Sequence, residues 1–320
     1  MDALKQAVAQ YADHHANADG LAFTPIPGLR MMRVAAPAGP LHSIYRPLVC
    51  FILQGAKHMT VGLEAQVFSA GQSVIVAADM PVVGRIVEAT AQTPYLAVAV
   101  ELELATLREL SAHLGEAAPT PPAGTRTLFV QDSDAATLDC ARRLLALLDR
   151  PEAAPLLAPA IRRELHYWLL AGCHGPARRA LSAPEGHAGR LARAIAVLRA
   201  DYRARLPVQR LAAEAGMSQT AFHGHFRRMT GLTPGQYQKR LRLIEARRLM
   251  QDQGMAAGVA AFEVGYESPS QFTRDYGRLF GVSPAKDARR RRAGGSPRLA
   301  QRLEAAGEDG LHRVTDGDHL

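Results

Sequence analysis

The chain has 320 residues, 38 Lys+Arg against 30 Asp+Glu, a formal net charge of +8 and three cysteines. That length can bury two separate cores, and no apolar run of about 18 residues interrupts it, so a membrane-crossing helix is excluded from the expectation. Cys50, Cys140 and Cys173 are an odd number with no Cys-x-x-Cys pair, and Met1-Asp2-Ala3-Leu4-Lys5 lacks the basic-then-apolar order of a signal peptide; both point to a reducing cytoplasm without a disulfide framework.

Residues 4–14 have the spacing of a short amphipathic helix. The pattern then changes to strands over 29–34, 49–53, 58–61, 66–69, 74–76, 83–87 and 95–102, short runs rich in β-branched and aromatic residues. Pro25-Ile26-Pro27-Gly28, Gly55, Gly62, Gly71 and Pro81 break them. Many short strands at this spacing predict a small barrel or a sandwich. Cys50 falls inside an apolar strand and reads as core. Helices are predicted over 104–114, 135–148 and 155–171. The last carries Leu157, Ile161, Leu165, Trp168 and Leu169, a stripe that needs a partner surface, and pairing with a second copy of the chain is the expected one. A Gly, Pro, Ala and Ser-rich stretch follows and reads as a linker. Helical periodicity resumes at Leu191, Ile195, Leu198 and Tyr202.

The rest is organised around one pattern that occurs twice. Gly216-Met217-Ser218-Gln219-Thr220-Ala221-Phe222-His223-Gly224-His225-Phe226 runs on to Gly231-Leu232-Thr233-Pro234. Ser218, Phe222, Phe226, Gly231 and Pro234 recur as Ser268, Phe272, Tyr276, Gly281 and Pro284. Each copy has the parts of a helix-turn-helix. A short helix (208–215, then 254–264) ends at a glycine able to take a left-handed conformation. Ser218 and Ser268 are placed to N-cap the next helix, and Ser268-Pro269-Ser270-Gln271 has the order of a capping box with proline at N1. Phe222, Phe226 and Met229 form the back of one second helix; Phe272, Tyr276 and Leu279 form the back of the other. This leaves Thr220, His223, Gly224 and Arg227 on the open face of the first, and Ser270, Gln271, Arg274 and Arg278 on that of the second. A packed back with a polar, partly basic front fits a DNA major groove. Between the copies, Thr233-Pro234-Gly235-Gln236 is a further capping box and opens a long helix to about Met250. Charge agrees with this reading. Residues 190–292 hold 20 basic and 8 acidic residues, a surplus of 12, whereas the remainder has a deficit of 4. A phosphate-binding surface requires that asymmetry.

Gly265-Tyr266-Glu267-Ser268-Pro269-Ser270-Gln271-Phe272-Thr273-Arg274, continued by Phe280-Gly281-Val282-Ser283-Pro284, resembles the signature of the AraC/XylS family of transcription regulators. The first copy, with Gln238-Lys239-Arg240-Leu241-Arg242-Leu243 after it, resembles the upstream half of the same family. Thr24-Pro25-Ile26-Pro27-Gly28-Leu29, Tyr45-Arg46-Pro47 and Leu53-Gln54-Gly55-Ala56-Lys57 resemble the N-terminal domain of one branch of it. The resemblance implies an α+β multidomain chain. A cupin-like β-barrel with trailing helices, for sensing and dimerisation, spans 1–175. A linker follows over 176–188, and an all-α domain with two helix-turn-helix units over 189–290. The stretch 291–320, beginning within Arg289-Arg290-Arg291-Arg292, reads as a disordered tail. The resemblance also implies base-reading positions at Thr220, His223 and Gly224 in the first helix and at Ser270, Gln271 and Arg274 in the second. Gly224 departs from the long polar side chains common there, so the second unit is expected to dominate.

Cupins often hold a metal with His-x-His, a downstream Glu, a Gly and a later His. His58-Met59-Thr60, Glu64 and Gly71 keep that rhythm, but Thr60 replaces the second histidine and no third follows before His113. A zinc or iron site needs three or more protein ligands, so the barrel is read as metal-free and without a cofactor. No catalytic motif of the Gly-x-Ser-x-Gly or His-Glu-x-x-His kind occurs. The expected partners are double-stranded DNA, a second copy of the chain, a small-molecule effector and RNA polymerase, with no membrane. Two alternatives stay open: an enzymatic barrel tethered to DNA, and an architectural nucleic-acid binder.

Overall fold

The computed structural model describes residues 1–61, 64–114, 128–172 and 187–292. Contacts group the chain into two units, Met1–Ile244 and Glu245–Leu320.

In the first unit, helix α1 (Asp2–His15) buries Leu4, Val8 and Ala12, one stripe along its length. The strands are β1 (Leu21–Phe23), β2 (Leu29–Val34), β3 (Ala38–Tyr45), β4 (Leu48–Gln54), β5 (Ala56–Val61), β6 (Glu64–Ser69), β7 (Gln72–Val76), β8 (Met80–Glu88), β9 (Tyr95–Glu101) and β10 (Leu128–Asp132). They form a six-stranded sheet, in the order β1-β2-β9-β4-β7-β10, and a four-stranded sheet, in the order β3-β8-β5-β6. Strand β4 explains why the six-stranded sheet is apolar on both faces. Leu48 and Ile52 join one core with Met59, Phe68, Met80, Val82 and Ile86 of the facing sheet. Val49, Phe51 and Leu53, on the alternate face, join a second core with the helices. That second core is covered by α1, α2 (Leu104–His113), α3 (Ala135–Ala146) and α4 (Ala154–Ala171).

The sequence leaves a small barrel or a sandwich open, with a cupin-like barrel implied by resemblance, and no closed sheet is seen among the described residues. No ladder joins the two sheets among the described residues, and the strands make a sandwich of two open sheets. Closure needs edge strands that pair, and the six-stranded sheet ends on a three-residue β1 and on β10, which pairs only with β7. Strands β1, β3 and β10 escape the sequence pattern. The first is three residues long, and β3 begins at Ala38-Gly39-Pro40, a turn-like composition.

The remaining helices of the first unit are α5 (His187–Ala200), α6 (Val208–Glu214), α7 (Gln219–Thr230) and α8 (Pro234–Asp252), the last of which continues into the second unit. Leu191, Ile195, Leu198, Leu211, Phe222, Phe226 and Tyr237 make a third core among them. Ile44 of β3 packs on that core, Met229 of α7 touches both it and the core between the sheets, and Arg199 is hydrogen-bonded to Asp79.

The second unit continues α8 into α9 (Ala257–Glu263), α10 (Pro269–Phe280) and α11 (Pro284–Arg292). Helix α9 begins later than expected because Gly254 sits at φ +67°, in the left-handed region. The backbone of Arg289 to Arg292, expected to be disordered, ends helix α11; Ser283 supplies its N-cap contact to the Lys286 amide at 3.4 Å. The predicted linker lies outside the described residues except at its last two positions, as do the tail beyond 292 and Cys173.

Among the described residues no helix is long and apolar enough to cross a membrane, and no group of three or more His, Cys, Asp or Glu is placed to hold a metal ion.

Candidate nucleic-acid interface

Both predicted turns form by the same local chemistry. Gly216 and Gly265 take φ +59° and +85°, values that L side chains rarely adopt. Ser218 Oγ then accepts from the Ala221 amide, and Ser268 Oγ from the Gln271 amide, each at 3.3 Å. These bonds satisfy one orphan donor at the start of α7 and of α10. Both helices end at a left-handed glycine, Gly231 and Gly281. Thr233 and Gln236 form the expected reciprocal capping box at the start of α8: the Gln236 amide donates to Thr233 Oγ1, and the Thr233 amide donates to Gln236 Oε1.

The backs of the two helices are dry. Phe222 and Phe226 are fully buried and their rings tilt against each other with centroids 5.4 Å apart. Phe272 and Tyr276 repeat this at 5.4 Å in the second unit. Met229 and Leu279 are only half-buried. The fronts carry the predicted residues. Thr220, His223, Gly224 and Arg227 are all exposed on α7, and Ser270, Gln271, Arg274 and Arg278 are all exposed on α10. Each helix thus brings its four residues onto one open face; the two faces belong to different units.

The cations differ in how far they are engaged. Arg278 lies 3.6 Å from Asp275, whose carboxylate is buried, while its own side chain is 80% exposed. Neither Arg227 nor Arg274 makes a side-chain hydrogen bond or ion pair within the described residues. Gly224 has open space where a Cβ would stand, so no packing demands glycine there. It lowers helix propensity by about 1 kcal/mol relative to alanine and offers no side chain to a ligand.

Sequence reasoning missed that several basic residues also brace the fold. Arg190 donates to the Ala215 carbonyl at 2.9 Å and Arg193 to the Glu214 carbonyl at 3.2 Å, both at the C-terminus of α6. Arg242 donates to the carbonyls of Tyr202, Arg203 and Ala204 at 2.7 to 3.0 Å. Carbonyls do not cancel charge, so Arg190 and Arg193 brace the fold through these bonds without being neutralised by them. The nearest sequence signal is their place in a basic stretch, which does not reveal their acceptors. His225 was likewise missed. Arg228 donates to its Nδ1 at 2.7 Å and its ring stacks on His187 at 3.9 Å. Burial, then His187, Arg228 and Arg190, hold its pKa below the usual histidine value, so it adds no charge near neutral pH.

Comparison with known proteins follows this division. The family model for the AraC-type transcriptional regulator N-terminus matches residues 25–177, and that for a helix-turn-helix domain matches residues 211–290. The HTH-type transcriptional activator RhaS of Escherichia fergusonii is 29% identical over 151 residues, which is 47% of this chain and 54% of that protein. RhaR of Klebsiella pneumoniae is 30% identical over 99 residues, 31% of this chain and 35% of that one. The chain spans about half or less of the length of these curated relatives. Among solved structures, an apo ToxT variant from Vibrio cholerae superposes with a TM-score of 0.58 at 9% identity, over 85% of this chain and 98% of the other. Wild-type ToxT with an unsaturated fatty acid bound gives 0.56 at 8%, over 82% and 93%. At such identity the likeness is one of fold.

Proposed function

Since the chain belongs to the AraC family of transcriptional regulators, we propose that it reads specific double-stranded DNA sequences with α7 and α10 and answers a small-molecule effector through its N-terminal half. The observation that carries the reading is the doubled helix-turn-helix, capped twice by serine, with an aromatic back and an exposed polar front each time. The family is one of regulators rather than enzymes. Exposed arginines neutralise phosphates and set orientation. Thr220 and His223 on α7, and Ser270, Gln271 and Arg274 on α10, read base edges, with Arg227 and Arg278 beside them on phosphate. Gly224 reads nothing, so α10 contributes most of the discrimination. Such a protein works where the DNA is, in the cytoplasm.

The test is selection of bound duplexes from a random pool by the full chain. A recovered motif supports the reading; binding without any sequence preference would favour an architectural binder instead. A companion expectation concerns the fragment 189–292. Its core residues come almost entirely from its own helices, so it should fold alone. Its affinity should fall with salt at a log–log slope near −0.9 per phosphate neutralised. Failure to bind any DNA at low salt would sink this expectation.

The proposal includes a dimer through α4. The predicted stripe divides: Leu165 and Leu169 are buried in the helix-covered core and Ile161 packs against it, whereas Leu157 is 50% and Trp168 37% exposed. Leu156 and Tyr167 are exposed beside them. An apolar row of this kind on an otherwise packed helix suits a second copy of the same face. Sedimentation velocity at micromolar concentration should show a dimer for the wild type and a monomer for Leu157→Ser/Trp168→Ser. A monomeric wild type would end the dimer reading. ToxT, a protein of this fold, has been solved with an unsaturated fatty acid bound, which supports an effector for this chain.

A further inference from the structure

The core between the two sheets holds a buried lysine that forms no ion pair among the described residues. Lys57 points from β5 into that core on the same face as Met59, and only 7% of it is exposed. Its ammonium donates to the Tyr45 hydroxyl at 3.0 Å and lies 5.6 Å from the centre of the Tyr45 ring. None of the ion pairs among the described residues includes it. Arg30, on the neighbouring sheet, is by contrast matched to Glu101 at 2.6 Å. Burial works to lower the pKa of Lys57, while Tyr45 and Cys50 work to raise it, and the net direction is up. A buried ammonium without a counter-charge is costly, and proteins usually pair it.

The groups around it are donors. An ammonium has three N–H bonds, and one is engaged by Tyr45. The Tyr45 hydroxyl accepts that bond and keeps its own O–H to give. The hydroxyl of Tyr95, a fully buried residue whose electrostatic neighbours are Cys50 and Tyr45, has no hydrogen-bond partner. Lys57 and the two tyrosines offer surplus donors and a lysine charge, and the nearby Arg30, which also acts on Lys57, is already matched to Glu101; such a cluster suits an anion and rejects a cation. The walls supply the rest of the description. Ile52, Val82 and Ile86 are apolar, and Met32, Met59, Met80 and Met229 all line this core. Methionine is unbranched and rearranges at low cost, so such a core can admit an apolar body without a standing void.

We infer that Lys57, Tyr45 and Tyr95 form the anion subsite for the effector, and that the effector is a small carboxylic acid with an apolar body. The inference rests on the reading that the N-terminal half takes an effector at all. The carboxylate accepts from the Lys57 ammonium and from the two tyrosine hydroxyls, and the apolar part displaces methionine side chains.

The experiment uses the full chain and decanoate as the probe, with decan-1-ol and decyltrimethylammonium as matched neutral and cationic controls. Binding is read by calorimetry and by the shift in thermal unfolding. Decanoate should bind wild type saturably and more tightly than either control. Lys57→Met should weaken decanoate by roughly tenfold or more, the loss of a charge-assisted contact, and leave decan-1-ol unchanged. Tyr95→Phe, which removes one oxygen from the side chain, should weaken decanoate as well and guards against a Lys57 variant that fails to fold. No saturable binding of decanoate, or equal binding by wild type and both variants, overturns the inference. A parallel arm with the small-molecule filtrate of a cell extract separates it from the wider reading. A thermal shift equal in wild type and Lys57→Met keeps an effector but removes this subsite; no shift in either removes both.

Discussion

Replacing Asp287 by alanine is expected to destabilise the second helical unit by about 3–5 kcal/mol, the range for breaking a buried ion pair by deleting one partner. Asp287 lies on α11 and is 5% exposed. Its Oδ2 accepts from Arg247 Nε at 2.8 Å and from the Tyr276 hydroxyl at 2.6 Å, with Gln251 Nε2 at 3.5 Å. Arg247 in turn stands 5.2 Å from the centre of the Phe280 ring. One carboxylate therefore ties α8, α10 and α11 together inside the unit. Without it, the Arg247 guanidinium loses the Asp287 carboxylate and the Tyr276 hydroxyl loses that acceptor; each loss costs more than the net value of the bond itself. The Arg247 side chain is 20% exposed, so water moderates its share and the lower half of the range is the better expectation. Burial, followed by the hydrogen bond from Tyr276 to Asp287, pushes the Tyr276 pKa well up, consistent with a hydroxyl that stays protonated and donating. Asp287→Asn keeps an acceptor and loses the charge, so it should fall between alanine and wild type. Urea unfolding followed by far-ultraviolet circular dichroism is the measurement. An unchanged midpoint for Asp287→Ala would show that the three helices are held by their aromatic contacts alone. DNA binding should be lost in step with folding, at every sequence alike.

How much of this was legible in the sequence depends on how local the cause is. The helix-turn-helix units were readable because glycine turns, serine caps and aromatic stripes act within a dozen residues, and the eight front residues emerge exposed as that spacing requires. Central strands such as β4, β7 and β9 were readable from their apolar runs. Whether those strands close into a barrel or stack as two sheets is decided by edge pairing, which no local pattern encodes. The stripe on α4 was visible, but spacing alone cannot tell its buried side, at Leu165, from its exposed side, at Leu157. Asp287 and Lys57 were the least legible. Asp287 sits among Lys286, Arg289 and Arg290 and reads as a solvated residue, because its partner Arg247 is 40 residues away. Lys57 stands out in sequence only as part of a family word, and its burial follows from the facing of two sheets.

Arg274→Ala, in contrast to Asp287→Ala, should leave the fold intact and lower specificity. Arg274 lies one turn into α10, behind the Ser268 cap and on the face opposite Phe272 and Tyr276. Two carboxylates could have taken it out of play, Asp275 and Glu267. Asp275 is instead buried and lies within reach of Arg278 at 3.6 Å and of the Tyr266 hydroxyl at 3.5 Å, and no ion pair forms between Arg274 and either acid. A free guanidinium on the front of a recognition helix can donate to both major-groove acceptors of a guanine, which is worth about 1–3 kcal/mol of discrimination, or about 5- to 150-fold. Wild type and Arg274→Ala should therefore differ strongly on a selected site and little on scrambled DNA. Arg291, in the last turn of α11 and within the basic run, is expected to meet only phosphate. Its alanine variant should lose affinity for both duplexes equally and flatten the salt slope by about one phosphate's worth. Gly224 sharpens the comparison: the matching helix α7 has no side chain at that position, so α10 has little redundancy to fall back on. If Arg274→Ala weakened the selected and scrambled duplexes by the same factor, Arg274 would be a phosphate contact, and base reading on α10 would have to rest on Ser270 and Gln271.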